Sequence, residues 1–569
     1  MKTVLGYLRP YAWRAAAGVA IKFTAAILEL ILPLLLARII DELVPAGDLP
    51  AIWRAGGLMA LLALGALVCN VTANRMAAWV SMRMTQALRH DLYQRVQALS
   101  CAQADRFSPS SLVSRLTNDT YHVHQMLDKV QRGGIRAPML VLGGLVLTFL
   151  LEPTLAFIQL AVSALTILTI ALVTRRGIPH YARAQTAVDA VVRILRENAA
   201  GVRVVKALVC QERERERFDE ANRENRRAEE RAGLVMAAAN PITDLLLNLG
   251  LALVVLAGAL RVDAGLMPAG QIVAFTTYFA LIQSATLGIA KVFVKISKGA
   301  ASARRIQEVL QAPVQQGQES PQPAGAGFLG MEGVSFSYVG KRPDVADLTF
   351  SLPRGGMLGI LGPTGCGKST LAALLPRLYD ADRGVVWVGG QDVKSQDRRA
   401  LQSRFGVVFQ NDTLIGGTVY ENISFLRGIS REAAETAART AQAWPFISRL
   451  PRGLDTPLEL RGANLSGGQR QRLLIARALA GRPEILVLDS ADSALDYATA
   501  AALRRDIRLA FPEVTLVVIS ERVSAVRAAD RILLLQEGRI DAQGSHEELL
   551  ETSGRYRRMV DLQMGGGAG

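Results

Sequence analysis

The residues best suited to chemistry lie in the second half of the chain. Gly362-Pro363-Thr364-Gly365-Cys366-Gly367-Lys368-Ser369-Thr370 follows an apolar run, Met357–Leu361, and opens an expected helix from Lys368 to Leu378. Glycines here let backbone N–H groups converge on phosphate oxygens without side-chain clash, and a helix N-terminus adds the positive end of its dipole. Lys368 is expected to bring a point charge to the β- and γ-phosphates of ATP, and Ser369 a hydroxyl to Mg²⁺. A second apolar run, Ile485–Leu488, ends in Asp489. A carboxylate at the end of such a strand holds Mg²⁺ beside a phosphate loop.

A third element identifies a family. Leu465-Ser466-Gly467-Gly468-Gln469-Arg470-Gln471-Arg472 leads into the helical run Leu473–Ala480 and resembles the signature sequence of ABC transporters. Small residues at a helix N-terminus can approach a γ-phosphate, with Ser466 as donor. Other matches stand in the order the family has them. Tyr338 resembles the aromatic residue that stacks on adenine, its value being a flat π-face. Gln410 resembles the Q-loop residue that contacts Mg²⁺ and water, and Ser493-Ala494-Leu495-Asp496 the D-loop. In the first half, Phe107–Asp119 looks like the first cytoplasmic coupling region, and Glu197–Lys206 like the approach to the second. The resemblance, to the exporter-type half-transporter, covers nearly the whole chain. It implies pairing of two half-transporters, with each ATP site combining one chain's phosphate loop and the other's signature.

The sequence departs from that pattern where hydrolysis would occur. After Asp489 the family has a glutamate, the base for the attacking water; here it is Ser490. A serine hydroxyl does not accept a proton appreciably at neutral pH. The family's switch histidine, which contacts the γ-phosphate, is replaced by Glu521, and like charges repel. Leu460 stands where the family usually has a glutamate ahead of the signature. The expectation is a site that binds Mg-ATP and hydrolyses it poorly, in an obligate heterodimer. Ser466, Gly467, Gly468 and Gln469 would complete the partner's active site.

These motifs need a scaffold. Among 569 residues, 50% are hydrophobic and the formal net charge is +15. Such a composition fits a membrane domain joined to a soluble one. Spans are expected near Ala15–Ile40, Ala51–Ala73, Arg136–Leu151, Thr154–Val173, Leu234–Leu260 and Gln271–Val294, the third and fourth joined by Glu152-Pro153 alone. Cations crowd the two long connections, which are expected to continue the helices uncapped, while the three short connections hold few. That alternation puts the long loops and both termini in the cytoplasm. It accounts for the basic balance without nucleic acid. The four cysteines lack metal-ligand spacing and are expected to be unpaired, and no cleaved signal peptide is read at the N-terminus.

Gln311–Gly327, rich in Gln, Pro and Gly, reads as a linker, and a glycine tail ends the chain. Beyond the linker, short apolar runs alternate with helical stretches, the mark of a parallel sheet covered by helices. The expected fold is a six-helix transmembrane domain (1–310), a linker (311–328) and an α/β phosphate-loop nucleotide-binding domain (329–569). Ionisable residues inside spans usually face a cavity or the bundle interior. Glu29, Asp244, Asn248 and Gln283 are therefore the candidates for a substrate path, and carboxylates there would favour a cationic or amphipathic cargo. The expected function is ATP-driven movement of a small molecule, lipid or peptide across the cytoplasmic membrane, as export. A siderophore or metal-chelate importer of the same fold, and an ATP-switched regulatory or channel-like subunit, are the alternatives.

Overall fold

A computed structural model describes residues 2–313, 325–340, 342–491 and 493–564. The core of the expected linker and the glycine tail lie outside the described residues. The chain divides into two compact units, Met1–Gln97 with Ser110–Gln311, and Ala98–Pro109 with Ala312–Gly569.

In the first unit, six helical segments among the described residues are long and apolar enough to cross a bilayer. They are Val4–Leu43, Leu49–Gln97, Pro109–Leu151, Pro153–Ala207, Gln211–Asp263 and Ala269–Leu310. The sixth is the innermost: 44% of its apolar window is buried, against 6% for the second. Phe275, Tyr278, Phe279 and Ile282 give it that role. The breaks in these helices have local causes. The third segment is interrupted between Thr120–Arg132 and Arg136–Leu151. Gly133-Gly134 loosens the chain there, and Pro138 has no N–H to return to the Gly134 carbonyl. The fifth is interrupted at Ala238, where the Pro241 ring would meet the Ala237 carbonyl. At the tight turn, Glu152 caps Thr154 N–H (3.4 Å) and pairs with Arg261 (3.0 Å). The turn is thereby tied to the far end of the fifth segment.

The expected uncapped extensions are corrected at two points. The second segment ends at Gln97, and Ser100 then starts a separate short helix, Cys101–Phe107, through a reciprocal capping box with Gln103. It is residues 98–109 that join the second unit, whereas the expected coupling region began at Phe107. The fourth segment stops at Ala207, and the chain turns through Leu208–Cys210 with Val209 at φ 54°. Glu197 and Arg217 pair across that turn at 2.7 Å.

The second unit is built on a six-stranded sheet. Its order is Arg539–Gly544, Arg531–Gln536, Met357–Leu361, Thr515–Ser520, Ile485–Asp489, Phe405–Val408. All neighbours are parallel except the first pair. Met357–Leu361 and Ile485–Asp489 are buried throughout, as strands covered on both faces must be. A four-stranded antiparallel sheet carries Val345–Leu352, Leu329–Phe336, Arg383–Val388 and Gln391–Asp392. The helix after the glycine loop runs from Lys368 to Leu374, short of the expected Leu378. Pro376 cannot donate to the preceding turn, and Arg377 leaves the helical region at φ 54°.

Candidate functional site

The register of the parallel sheet brings the chemical positions together. Ser520 lies opposite Leu361, Ile519 opposite Asp489, and Leu488 opposite Val408. The residues that follow these strands therefore leave one edge of the sheet side by side. They are Gly362, Glu521, Ser490 and, two residues on, Gln410. Ligands bind at such a C-terminal edge in open α/β sheets. A cavity of about 260 Å³ opens there, lined by Thr364, Gly365, Gly367, Lys368, Ser369, Thr370, Gln410, Ser490 and Glu521, with Asp344.

Three glycines have no substitute. Gly365 and Gly367 sit at φ 81° and 98°, and a Cβ on Gly367 would lie 2.7 Å from Val345. Gly362 passes so close to Leu535 that a Cβ would lie 2.5 Å from its carbonyl oxygen. Lys368 Nζ donates to the carbonyls of Gly362 (2.8 Å) and Pro363 (2.9 Å) and lies 3.4 Å from Glu521 Oε1. The same Glu521 oxygen accepts from Thr364 Oγ1 at 2.8 Å. The Thr364 hydroxyl, and then Lys368, hold this carboxyl below the usual glutamate range. Glu521 is thus the counter-ion of the loop lysine.

Asp489 is 2% exposed. Burial pushes its carboxyl up, against hydrogen bonds from Ser369 and Ser490 and the charge of Lys368. Ser490 takes φ 53°, its N–H donates to Ile519 O at 2.9 Å, and its Oγ lies 3.5 Å from Asp489. Ser490, expected to stand at the base position, thus brings a hydroxyl to the lining of the cavity. Cys366 is buried beneath the loop, and burial raises its thiol. The oxygens of Ser369, Asp489 and Gln410 form a hard donor set with one buried carboxylate, which suits Mg²⁺ shared with phosphates. The glycine cradle and the cavity fit a nucleotide's phosphate chain.

Tyr338 is half exposed and meets Phe336 and Tyr379 edge-on, with centroids 4.9 and 5.1 Å away. Its backbone N–H donates to Asp344 (2.9 Å). Tyr379 Oη donates to Asp105 (2.5 Å) in the short helix Cys101–Phe107. Asp344, Tyr379 and Asp105 escaped the sequence reading because none stands in a motif; only the fold assembles them around Tyr338.

The signature forms a separate surface. Ser466 caps the helix Gly467–Ala480 in a reciprocal box with Gln469 (2.9 and 3.3 Å). The helix thus begins within the signature. Ser466 and Gly467 are exposed, and Gly468 lies against the Ala494 carbonyl, where a Cβ would come within 3.0 Å. Leu460 is fully presented at 73% exposure.

In the first unit the four substrate-path candidates are dispersed. Glu29 pairs with Arg136 (2.6 Å) and accepts from Asn70 (2.8 Å). A carboxylate in a span is costly unless neutralised, and here it is neutralised inside the fold. Gln283 is buried and reaches Ser163 at 3.4 Å. Asp244 and Asn248 share an exposed face, Asn248 donating back to the Asp244 carbonyl at 2.8 Å. None of the four lines the nearby cavity of about 400 Å³. Its walls carry Lys22, Asn70, Asn74, Lys129, Arg132 and Arg136, with apolar surface from Ala137, Leu140 and Leu281.

Spans, phosphate loop and signature together define a membrane transporter with a fused ATPase domain. Residues 16–286 match the model of the ABC transporter transmembrane region, and residues 345–493 that of the ABC transporter family. The chain belongs to the ABC transporter family. It is 34% identical to the uncharacterized ABC transporter ATP-binding protein YfiB of Bacillus subtilis, over 99% of both chains. It is 31% identical to an ATP-dependent lipid A-core flippase of Albidiferax ferrireducens, over 98% of this chain and 97% of that one. Identity to a fatty acid ABC transporter ATP-binding/permease protein of Mycobacterium bovis is 32%, over 90% and 82%. The solved structure of a bacterial Atm1-family ABC exporter with ATP bound superposes with a TM-score of 0.84, at 25% identity over 98% and 99% of the two chains. The chain is therefore a multi-pass membrane protein of exporter type, of a family that couples ATP hydrolysis to transport.

Proposed function

We propose that this chain is the non-hydrolysing half of a heterodimeric exporter. Its own site binds Mg-ATP, and its signature completes the partner's active site. The observation that carries this reading is the ion pair of Glu521 with Lys368, with Ser490 at the base position. Bound Mg-ATP supplies the polyphosphate charge and the bond to be cleaved. Lys368 and the glycine loop hold that charge, Ser369, Asp489 and Gln410 hold the metal, and Tyr338 stacks on the base. Two further acts are needed for hydrolysis: removal of a proton from water, and a donor to the γ-phosphate. Ser490 lacks the basicity for the first. Glu521 brings a negative charge where the second requires a proton.

Ser466, capped and exposed, keeps the donor that a partner's γ-phosphate would meet. The transmembrane domain is taken as 1–310, the linker as 311–328 and the nucleotide-binding domain as 329–569, with the basic loops, both termini and the ATPase domain in the cytoplasm. The named relatives support a lipid-like cargo and the exporter fold supports outward movement. ATPase measurement on the purified chain, alone and with a second half-transporter, tests the proposal. Activity is expected with the partner only, and robust turnover by the chain alone would overturn it.

A further inference from the structure

Resting on that reading of the first unit as a transport path, we propose that the cavity around Lys22 receives the acidic headgroup of a single-tailed or lipid-like amphiphile. The lining holds four cations, Lys22, Lys129, Arg132 and Arg136, and no carboxylate among its described residues. Two of the cations are balanced from outside. Arg136 has Glu29, and Arg132 Nε lies 2.6 Å from Asp128. The other two touch no carboxylate among the described residues. Lys22 is 4% exposed and donates to the side-chain oxygens of Asn70 (2.7 Å) and Asn74 (3.0 Å), and Asn70 donates in turn to Glu29. Lys129 is exposed, and no carboxylate among the described residues pairs with it.

An ammonium buried in a span is expensive unless its charge is matched, and such residues mark ligand paths. The amides orient Lys22 without neutralising it, and the carboxylate beyond Asn70, Glu29, already pairs with Arg136. The four cations thus face two carboxylates, Glu29 and Asp128, which leaves net positive charge for a ligand. The depth suits a headgroup. Arg136–Leu151 has 16 residues. At ~1.5 Å per residue Arg136 stands about 24 Å from the Glu152-Pro153 turn, toward the far boundary of a hydrocarbon core about 30 Å thick. The break at 133–135 lets the cationic end of Thr120–Arg132 meet the apolar wall of Ala137 and Leu140. Charge and apolar surface thus adjoin, as an acid with a tail requires. A carboxylate and a phosphate monoester share this chemistry.

The test measures ligand binding without nucleotide, so that the outcome does not depend on which ATP site hydrolyses. The chain, with its partner half, is placed in phosphatidylcholine discs and titrated with laurate, dodecyl phosphate, dodecyltrimethylammonium, acetate and inorganic phosphate, empty discs serving as blank. Laurate and dodecyl phosphate should bind saturably, at least about tenfold tighter than the cation of equal tail. Lys22→Gln removes the charge while keeping a polar amide donor, and Lys129→Gln alters only an exposed side chain; together they should weaken the anions by about tenfold or more. Thermal melts of each variant separate lost binding from lost fold, and Lys129→Gln alone should still weaken the anions if Lys22→Gln does not fold. Equal binding of anionic and cationic tails, or unchanged anion affinity in the folded variants, would overturn the proposal. Inorganic phosphate binding as tightly as dodecyl phosphate would overturn the amphiphile and indicate a free anion.

Discussion

Replacing Glu521 by glutamine should tighten ATP binding at this chain's own site while leaving ADP nearly unchanged. The carboxylate now neutralises Lys368 at 3.4 Å and accepts from Thr364 at 2.8 Å. A γ-phosphate seated on the same lysine would come within about 4 Å of it, where two like unit charges repel by about 1 kcal/mol in water and about 4 kcal/mol at an effective dielectric near 20. The Glu521 side chain is 55% exposed, so the screened end of that range applies. A gain of about 1–2 kcal/mol corresponds to roughly 5- to 30-fold in ATP affinity. Calorimetric titration of the chain with Mg-ATP and Mg-ADP reads both. Equal gains for the two nucleotides, or no gain for ATP, would refute the reasoning. The pH dependence has a definite sign. The Glu521 carboxyl is held below 4.5, so the stability it contributes without nucleotide is complete above that pH and is lost as pH falls through the lowered value. Acid unfolding curves of Glu521→Gln should lack that component.

Other consequences are separable. Ser466→Arg should abolish turnover of the assembled transporter while ATP still binds to this chain, as photolabelling with an azido-ATP would show. Ser490→Glu should not restore hydrolysis by itself, because Glu521 still repels the γ-phosphate; Ser490→Glu with Glu521→His should give ATPase activity to this chain's own site, measured with the partner's site inactivated. Arg305 forms two hydrogen bonds with the buried Asp119, one of them 2.9 Å long. Arg305→Met would orphan that carboxylate and cost about 2–3 kcal/mol, less than the ~3–5 kcal/mol of a fully buried pair because the arginine is half exposed. Thermal unfolding in detergent would read this as a lowered Tm.

The phosphate loop, Asp489, the signature and the six apolar stretches were legible because each is a local code. A glycine loop needs particular neighbours in sequence, and a span needs only length and apolarity. The two departures, Ser490 and Glu521, were legible for the same reason, as residues that differ from the family's pattern in readable motifs. The sequence could state that they were unusual. The register of three parallel strands decided that Glu521 would lie against Lys368 and Thr364.

Helix ends were less legible. Pro376 shortened the loop's helix, and Ser100 with Gln103 cut a separate helix from what read as one extension. Competing local signals of about 1 kcal/mol each settle such ends, and tertiary packing selects among them. The membrane interior was least legible. Glu29 alone reads as a carboxylate awaiting a cationic cargo. Packing of three spans gives it Arg136 and Asn70, and leaves Lys22 on the cavity with no carboxylate in direct contact. The sequence by itself determined which charges enter the membrane. Which of them remain unbalanced was decided only by the tertiary structure, because charges far apart in the chain neutralise each other when the fold brings them within a few ångströms.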